Sequence, residues 1–224
     1  MGGLLAVGAP MWAIKGMLLV LKGPELWLLG RSVYGVHHAA HFGLPYAFAY
    51  FFSEGRGVEE ALSLYRRNYR PSARHPVPQA TICVWALAAD TEAEARHLLK
   101  TREFWRVGFE QGLRKPLVTP EFADAYPYSE AERATIEALR RKAIIGTRET
   151  VATRLREIAS RLELDELVDV TWTHAPAPRH RSYELLAAAL SMPASPLLAS
   201  PALAPPPPPE RVGSPPPSPA PARR

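Results

Sequence analysis

Along the chain, short unbroken apolar runs alternate with longer stretches whose apolar residues recur at three and four. The run Glu25-Leu26-Trp27-Leu28-Leu29 stops at Gly30; its length and the glycine predict a buried strand. The turn Gly30-Arg31-Ser32 leads into a two-turn helix from Tyr34 to Phe42, closed by Gly43. Pro45 restarts an extended, aromatic segment from Tyr46 to Phe52. A helix follows from about Val58 to Asn68, with Val58, Ala61, Leu62 and Tyr65 on one face. Beyond a loop punctuated by Pro71, Pro76 and Pro78, Gln79 to Ala89 is the longest strand-like run. Thr91 and Glu94 have capping-box spacing and open a helix to about Val107. Residues Gly108 to Tyr128, with three prolines, suit a long loop. Ser129 and Glu132 repeat the capping box ahead of a helix to Lys142. Gly146-Thr147 opens another, with Val151, Leu155, Ile158 and Leu162 toward the core. A strand over Glu166 to Thr173 and a helix over Arg181 to Leu190 complete the order.

Strands apolar on both faces and joined through helices predict an α/β fold with a parallel sheet covered by helices. Four such units fit either an open sheet or half of a barrel, and the pattern alone does not choose. Three regions are expected: residues 1–24, which match no element pattern; a domain over 25–191; and a Pro-rich tail over 192–224. More than half of the 24 prolines lie after Ser191, and such a tail has too little apolar surface to fold, so disorder or polyproline II is expected there. What remains is too short for a complete (β/α)8 barrel, which takes about 250 residues.

Charge changes this picture little. The formal charge of +5 owes part of its excess to tail arginines, and no basic block with interleaved aromatics points to nucleic acid. The apolar stretch Met1 to Leu21 is interrupted by Pro10, Lys15 and Gly16. It is shorter than an uninterrupted membrane span and lacks the charged start of a secretory signal, so no membrane association and a cytoplasmic location are expected. The single cysteine, Cys83, lies in an apolar strand run and reads as a buried residue. His37, His38 and His41 have spacings that could bring two imidazoles to one metal, but without an intervening Glu they read as the wet face of a short helix, and no metal is expected. Tyr126 and Tyr128, with Phe104 and Trp105, are candidates for a lid built on the long loop.

Chemistry concentrates at the first turn. Gly30 permits a tight turn, Arg31 carries a fork of donors, Ser32 a hydroxyl, and the first amides of the following helix have no partner within it. Together they form a candidate phosphate cradle at a helix N-terminus and at the C-terminal end of a strand. No His–Asp pair or paired carboxylates identify a catalytic acid or base.

The stretch Trp27-Leu-Leu-Gly-Arg-Ser-Val-Tyr34, followed by Ala39-Ala-His-Phe-Gly-Leu-Pro-Tyr-Ala-Phe-Ala49, resembles the middle of luciferase-like flavin-dependent monooxygenases. The likeness continues through Leu64 to Pro71, Ala89-Asp90-Thr91 with Ala95 and Arg96, Gly146-Thr147-x-Glu149-Thr150-Val151, and Arg181-Ser182-Tyr183-Glu184-Leu185-Leu186. It covers about Leu26 to Leu190 in the family's order, as the C-terminal half of a TIM barrel. It implies a partial barrel holding the last four βα units, reduced FMN as cofactor (the deazaflavin F420 in some relatives), O2, and a small organic substrate. The resemblance carries the flavin-phosphate contact over to Gly30 and Ser32, and Arg31 and Tyr34 are expected beside them in the cofactor site. Arg31 replaces a common Ser, Gly35 a frequent hydroxyl residue, and Arg148 the usual proline of Gly-x-Pro-Glu; the Asp-His pair often seen before Arg-Ser-Tyr is missing near Pro176. About 150 residues that precede this region in the family are absent from the sequence. A truncated, non-catalytic homologue, or a subunit completed by a second chain over its barrel edges, is therefore the alternative to an enzyme.

Overall fold

A computed structural model describes residues 18–22, 25–164 and 166–192. In order these form β1 (Leu18–Lys22), β2 (Glu25–Gly30), α1 (Val33–His41), β3 (Tyr46–Phe48), α2 (Tyr50–Ser53), α3 (Val58–Asn68), β4 (Ala80–Val84) and β5 (Ala86–Ala89). There follow α4 (Glu92–Glu110), α5 (Pro120–Ala125), α6 (Glu130–Arg140), β6 (Ile144–Thr147), α7 (Arg148–Arg161), β7 (Val168–Asp169) and α8 (Pro176–Ala189). The fold is mixed α/β around a parallel sheet. Strands run in the order β1-β2-β3-β4-β7, with β5-β6 as a second, two-stranded parallel sheet. The four strands β2, β3, β4 and β7 are adjacent and parallel in chain order.

The period-2 alternation of the strands sorts two cores. Leu28, Tyr46, Phe48, Ile82 and Val84 face the helices and pack with Val36 and Ala39 of α1, Leu62 and Tyr65 of α3, Val151 and Leu155 of α7, and Leu185 of α8. Trp27, Leu29 and Ala47 face the other way, in a cluster with Ala49, Phe52 and Trp105. Trp105 comes from α4, whose residues 101–108 are all buried. This second sheet face is therefore covered by the chain's own aromatics.

Several elements differ from expectation. Residues 18–22 form a strand, where the pattern assigns none, pairing antiparallel with β2 so that Leu18 lies beside Leu29 and Lys22 beside Glu25; one sheet edge is thereby covered. Strand β3 stops at Phe48 rather than Phe52: Ala49 N–H turns to Gly30 C=O, and Phe52 N–H to Ala49 C=O begins the short helix α2. The long run from Gln79 breaks at Trp85, where the chain changes partner from β7 to β6. The segment Gly108 to Tyr128 holds the end of α4 and the helix α5. The last helix begins at Pro176, five residues early, because a proline in the first turn gives up an amide that has no partner anyway. Of Glu166 to Thr173, only Val168 and Asp169 are laddered. Except for residues 18–22 and Met192, the expected N-terminal region and Pro-rich tail lie outside the described residues.

Candidate functional site

The C-terminal ends of the parallel strands carry most of the polar machinery. At the end of β2, Gly30 C=O accepts from Ala49 N–H (3.0 Å) and the Tyr46 hydroxyl (3.0 Å), which anchors the turn from beneath. A Cβ on Gly30 would meet nothing within 4 Å, so open space lies over it. Ser32 is the N-cap of α1, its hydroxyl oxygen accepting Gly35 N–H at 3.3 Å, which leaves its own proton to donate. The Val33 and Tyr34 amides have no carbonyl within the helix. Arg31 and Ser32 are exposed. The structure thus places Gly30, Arg31 and Ser32 on one turn. The Tyr34 amide belongs to that turn, but its ring, 69% exposed, lies 4.0 Å from His38 along the outer face of α1. Gly35 is buried, and a side chain there would touch Leu28 and the Ser32 hydroxyl.

A second helix N-terminus is already occupied. Glu92, at the start of α4, places Oε1 3.1 Å from Thr147 N–H and 3.1 Å from the Thr150 hydroxyl at the head of α7. A carboxylate there is stabilised by the helix dipole. Gly146 makes the approach possible: its φ is +143°, and a Cβ would stand 2.5 Å from Glu92 Oε1. The Gly-Thr-x-Glu-Thr stretch therefore receives an internal anion.

The Arg-Ser-Tyr stretch of α8 ties down the same end of the sheet. Arg181 grips Asp90 through Nη2 (2.7 Å) and Nε (3.1 Å), and this pairing holds the Asp90 carboxyl below the usual range. Ser182, fully buried, accepts Ala88 N–H at 2.9 Å. The Tyr183 hydroxyl accepts Thr171 N–H at 3.1 Å.

Against Trp85 sits a buried charged group. Arg102 is 1% exposed; its Nη2 donates to Glu54 Oε1 (2.7 Å) and Phe51 C=O (3.0 Å), and its guanidinium lies 4.2 Å from the Trp85 ring centre. Burial draws its pKa down to about 10 and raises that of Glu54, while pairing opposes both shifts; at neutral pH Arg102 remains charged. The signal lay in helical spacing: Ala95, Leu99, Arg102 and Arg106 form one buried stripe of α4. The Trp172 ring lies 5.9 Å from the Arg102 guanidinium and meets Trp105 (5.0 Å) and Phe51 (5.7 Å) edge-on.

The remaining candidates are placed as follows. His37 and His41 are exposed and His38 bonds Tyr34 C=O; among the described residues no group of His, Cys, Asp and Glu could hold a metal. Tyr126 packs on Phe104, Phe122 and Tyr128, while Trp105 packs on Trp172, so one of the four lid candidates stands apart from the other three. Thr101 further fastens the segment by donating to Val118 C=O. Cys83 joins the second core, and burial pushes its thiol up to about 12. Among the described residues no helix is long and apolar enough to cross a membrane.

The architecture is a mixed α/β fold whose parallel strands are joined through helices. The model of the luciferase-like monooxygenases matches residues 11–164, and the chain belongs to that family. It is 32% identical over 178 residues to YceB of Bacillus subtilis (strain 168), covering 80% of this chain and 54% of that protein. Its identity to a luciferase-like monooxygenase of Escherichia coli (strain K12) is 32% over 144 residues, 64% of this chain and 42% of the relative. The crystal structure of apo-MsnO8 superposes with a TM-score of 0.66 at 30% identity, covering 79% of this chain and 54% of that one. The chain spans about half the length of the curated relatives it matches.

Proposed function

We propose that this chain is the flavin-phosphate-binding part of a flavin-dependent monooxygenase: the last four βα units of a (β/α)8 barrel, with FMN held at Gly30, Arg31, Ser32 and the Tyr34 amide. The observation that carries this reading is the contrast between two helix N-termini. That of α7 is filled by Glu92, whereas that of α1 presents the Val33 and Tyr34 amides, the Ser32 proton and the exposed Arg31 to open space over Gly30. The donor set fits a phosphate dianion: several N–H and O–H donors and one guanidinium, with no carboxylate among residues 30–34. Flavin, when bound, supplies the electrons with which O2 is activated against a small organic substrate. The chain's own part is to hold the phosphate and keep the strand ends fixed.

The test is differential. Arg31→Ala is expected to weaken FMN about ten- to a hundred-fold, the range for loss of a charge-assisted bond of about 1.5–3 kcal/mol. Riboflavin, which has no phosphate, should be unaffected. The measurement is made on this chain joined to the first half of a homologous barrel, and equal losses for both ligands would place Arg31 outside the site. A second reading, a non-catalytic homologue or a subunit completed by a partner chain, is favoured by Trp105 packing on the second sheet face. Turnover by the joined protein but not by the chain alone separates the two.

A further inference from the structure

At the break between β4 and β5, Ala86 receives side chains where a neighbouring strand would supply backbone. Its N–H donates to Asp169 Oδ1 at 3.0 Å, and its C=O accepts from the Thr171 hydroxyl at 2.7 Å. The Thr171 oxygen also lies 3.1 Å from Asp169 Oδ2. A hydroxyl has one proton. If that proton serves the shorter contact to Ala86 C=O, the Thr171 oxygen can meet Asp169 Oδ2 only as an acceptor, which requires a proton on the carboxyl.

We infer that Asp169 is a proton-operated latch, a positioning residue whose carboxylic acid closes a three-membered ring of hydrogen bonds with Thr171 and Ala86 and so fixes Trp85 against Arg102. In the closed ring Asp169 Oδ2–H donates to Thr171 Oγ1, Thr171 O–H to Ala86 C=O, and Ala86 N–H to Asp169 Oδ1. Release of the proton to solvent leaves one hydroxyl proton for two acceptors, so one of the three bonds is lost. The surroundings favour the acid. Asp169 is half-buried at the junction of two sheets, against the buried Ala86 and Thr171, and desolvation lifts its pKa from 3.8 to about 7 against the opposing pull of the Ala86 amide, the Thr171 hydroxyl, the Val170 amide and Arg102. Arg102 on α4 is the main charged neighbour, and its charge is in turn shared with Glu54, with Arg106 beside it. From α8, the Tyr183 hydroxyl reaches the Thr171 amide; from β4, Cys83 pairs opposite Val168 with its thiol protonated.

The sign follows from linkage. A carboxyl whose folded pKa is raised contributes stability that is fully present below the unfolded value, near pH 4, and is lost as pH climbs to about 7. Asp169→Asn keeps the oxygen that accepts Ala86 N–H and adds an N–H for Thr171, and so copies the protonated latch at every pH. The Tm of D169N minus that of the full wild-type chain is expected to rise by several degrees between pH 5 and pH 7 and to level off above pH 8. Histidines titrate in both proteins and cancel in this difference. Tryptophan emission should change across the same window in the wild type and not in D169N. A pH-independent Tm difference overturns the proposal. So does a 13C titration of the wild-type Asp169 carboxyl with its midpoint at the ordinary aspartate value, a measurement that needs no variant.

Discussion

Gly146 and Glu92 show how one backbone position controls an electrostatic contact fifty-odd residues away in sequence. With φ at +143° and a carboxylate oxygen 2.5 Å from where a Cβ would stand, only glycine leaves room. Gly146→Ala is expected to cost about 1–3 kcal/mol from strain, together with displacement of Glu92 from Thr147 and Thr150. In a Glu92→Ala background the same substitution should cost less, because the carboxylate that it crowds is gone. Urea denaturation of the four variants of this cycle checks both numbers; a purely additive result would mean that the Glu92 contact is not what Gly146 protects. The candidate phosphate donors are different in kind. Arg31 and Ser32 are exposed, so their loss should register in ligand affinity far more than in folding.

Among the elements, α8 is the fastener of the sheet's polar end. Three consecutive side chains reach three separate points: Arg181 the Asp90 carboxylate, Ser182 the Ala88 amide, Tyr183 the Thr171 amide. The Arg181–Asp90 pair is exposed and should add little in moderate salt. Ser182 is the consequential member. Ser182→Ala leaves the buried Ala88 N–H without an acceptor, which costs about 1–3 kcal/mol, and amide exchange at Ala88 should accelerate more than at Leu87. Unchanged exchange would show that the amide finds another partner. Helix α4 has a comparable double task. Its first half is an ordinary amphipathic helix capped by Thr91, while residues 101–108 are buried on all sides and place Arg102 and Trp105 at the second sheet face.

For the whole molecule, the proposed half-barrel reading has a thermodynamic consequence. Under that proposal, a phosphate cradle contributing about 1.5–3 kcal/mol would not by itself hold a cofactor whose ring pocket belonged to the other half. The chain alone is expected to bind FMN weakly. Joining it to the first four strands of a homologous barrel should raise the affinity by orders of magnitude, read from flavin fluorescence titrations of the joined and unjoined proteins. Tight binding by the unaided chain would overturn the half-site reading.

Hydrophobic periodicity and turn chemistry determined the parallel α/β class, the chain order of the four central strands, the caps at Ser129 and Thr147, and the turn at Gly30, because these rest on contacts between near neighbours in sequence. The Thr91–Glu94 spacing gave only half of its capping box, since the Glu94 carboxylate turns to Asp90 N–H instead. Tertiary structure alone decided where the long run from Gln79 breaks, since the break depends on β7 and β6, which arrive from either side of α7 much later in the sequence. It likewise decided that Asp169 and Thr171 complete a ladder, that Glu92 fills one helix N-terminus and leaves the other open, and that Arg102 lies in the core. Each of these polar groups is satisfied by a partner distant in sequence, and burial without a partner would be prohibitive. Pattern reading, which treats polar residues as solvated, has no access to that pairing until the chain has folded.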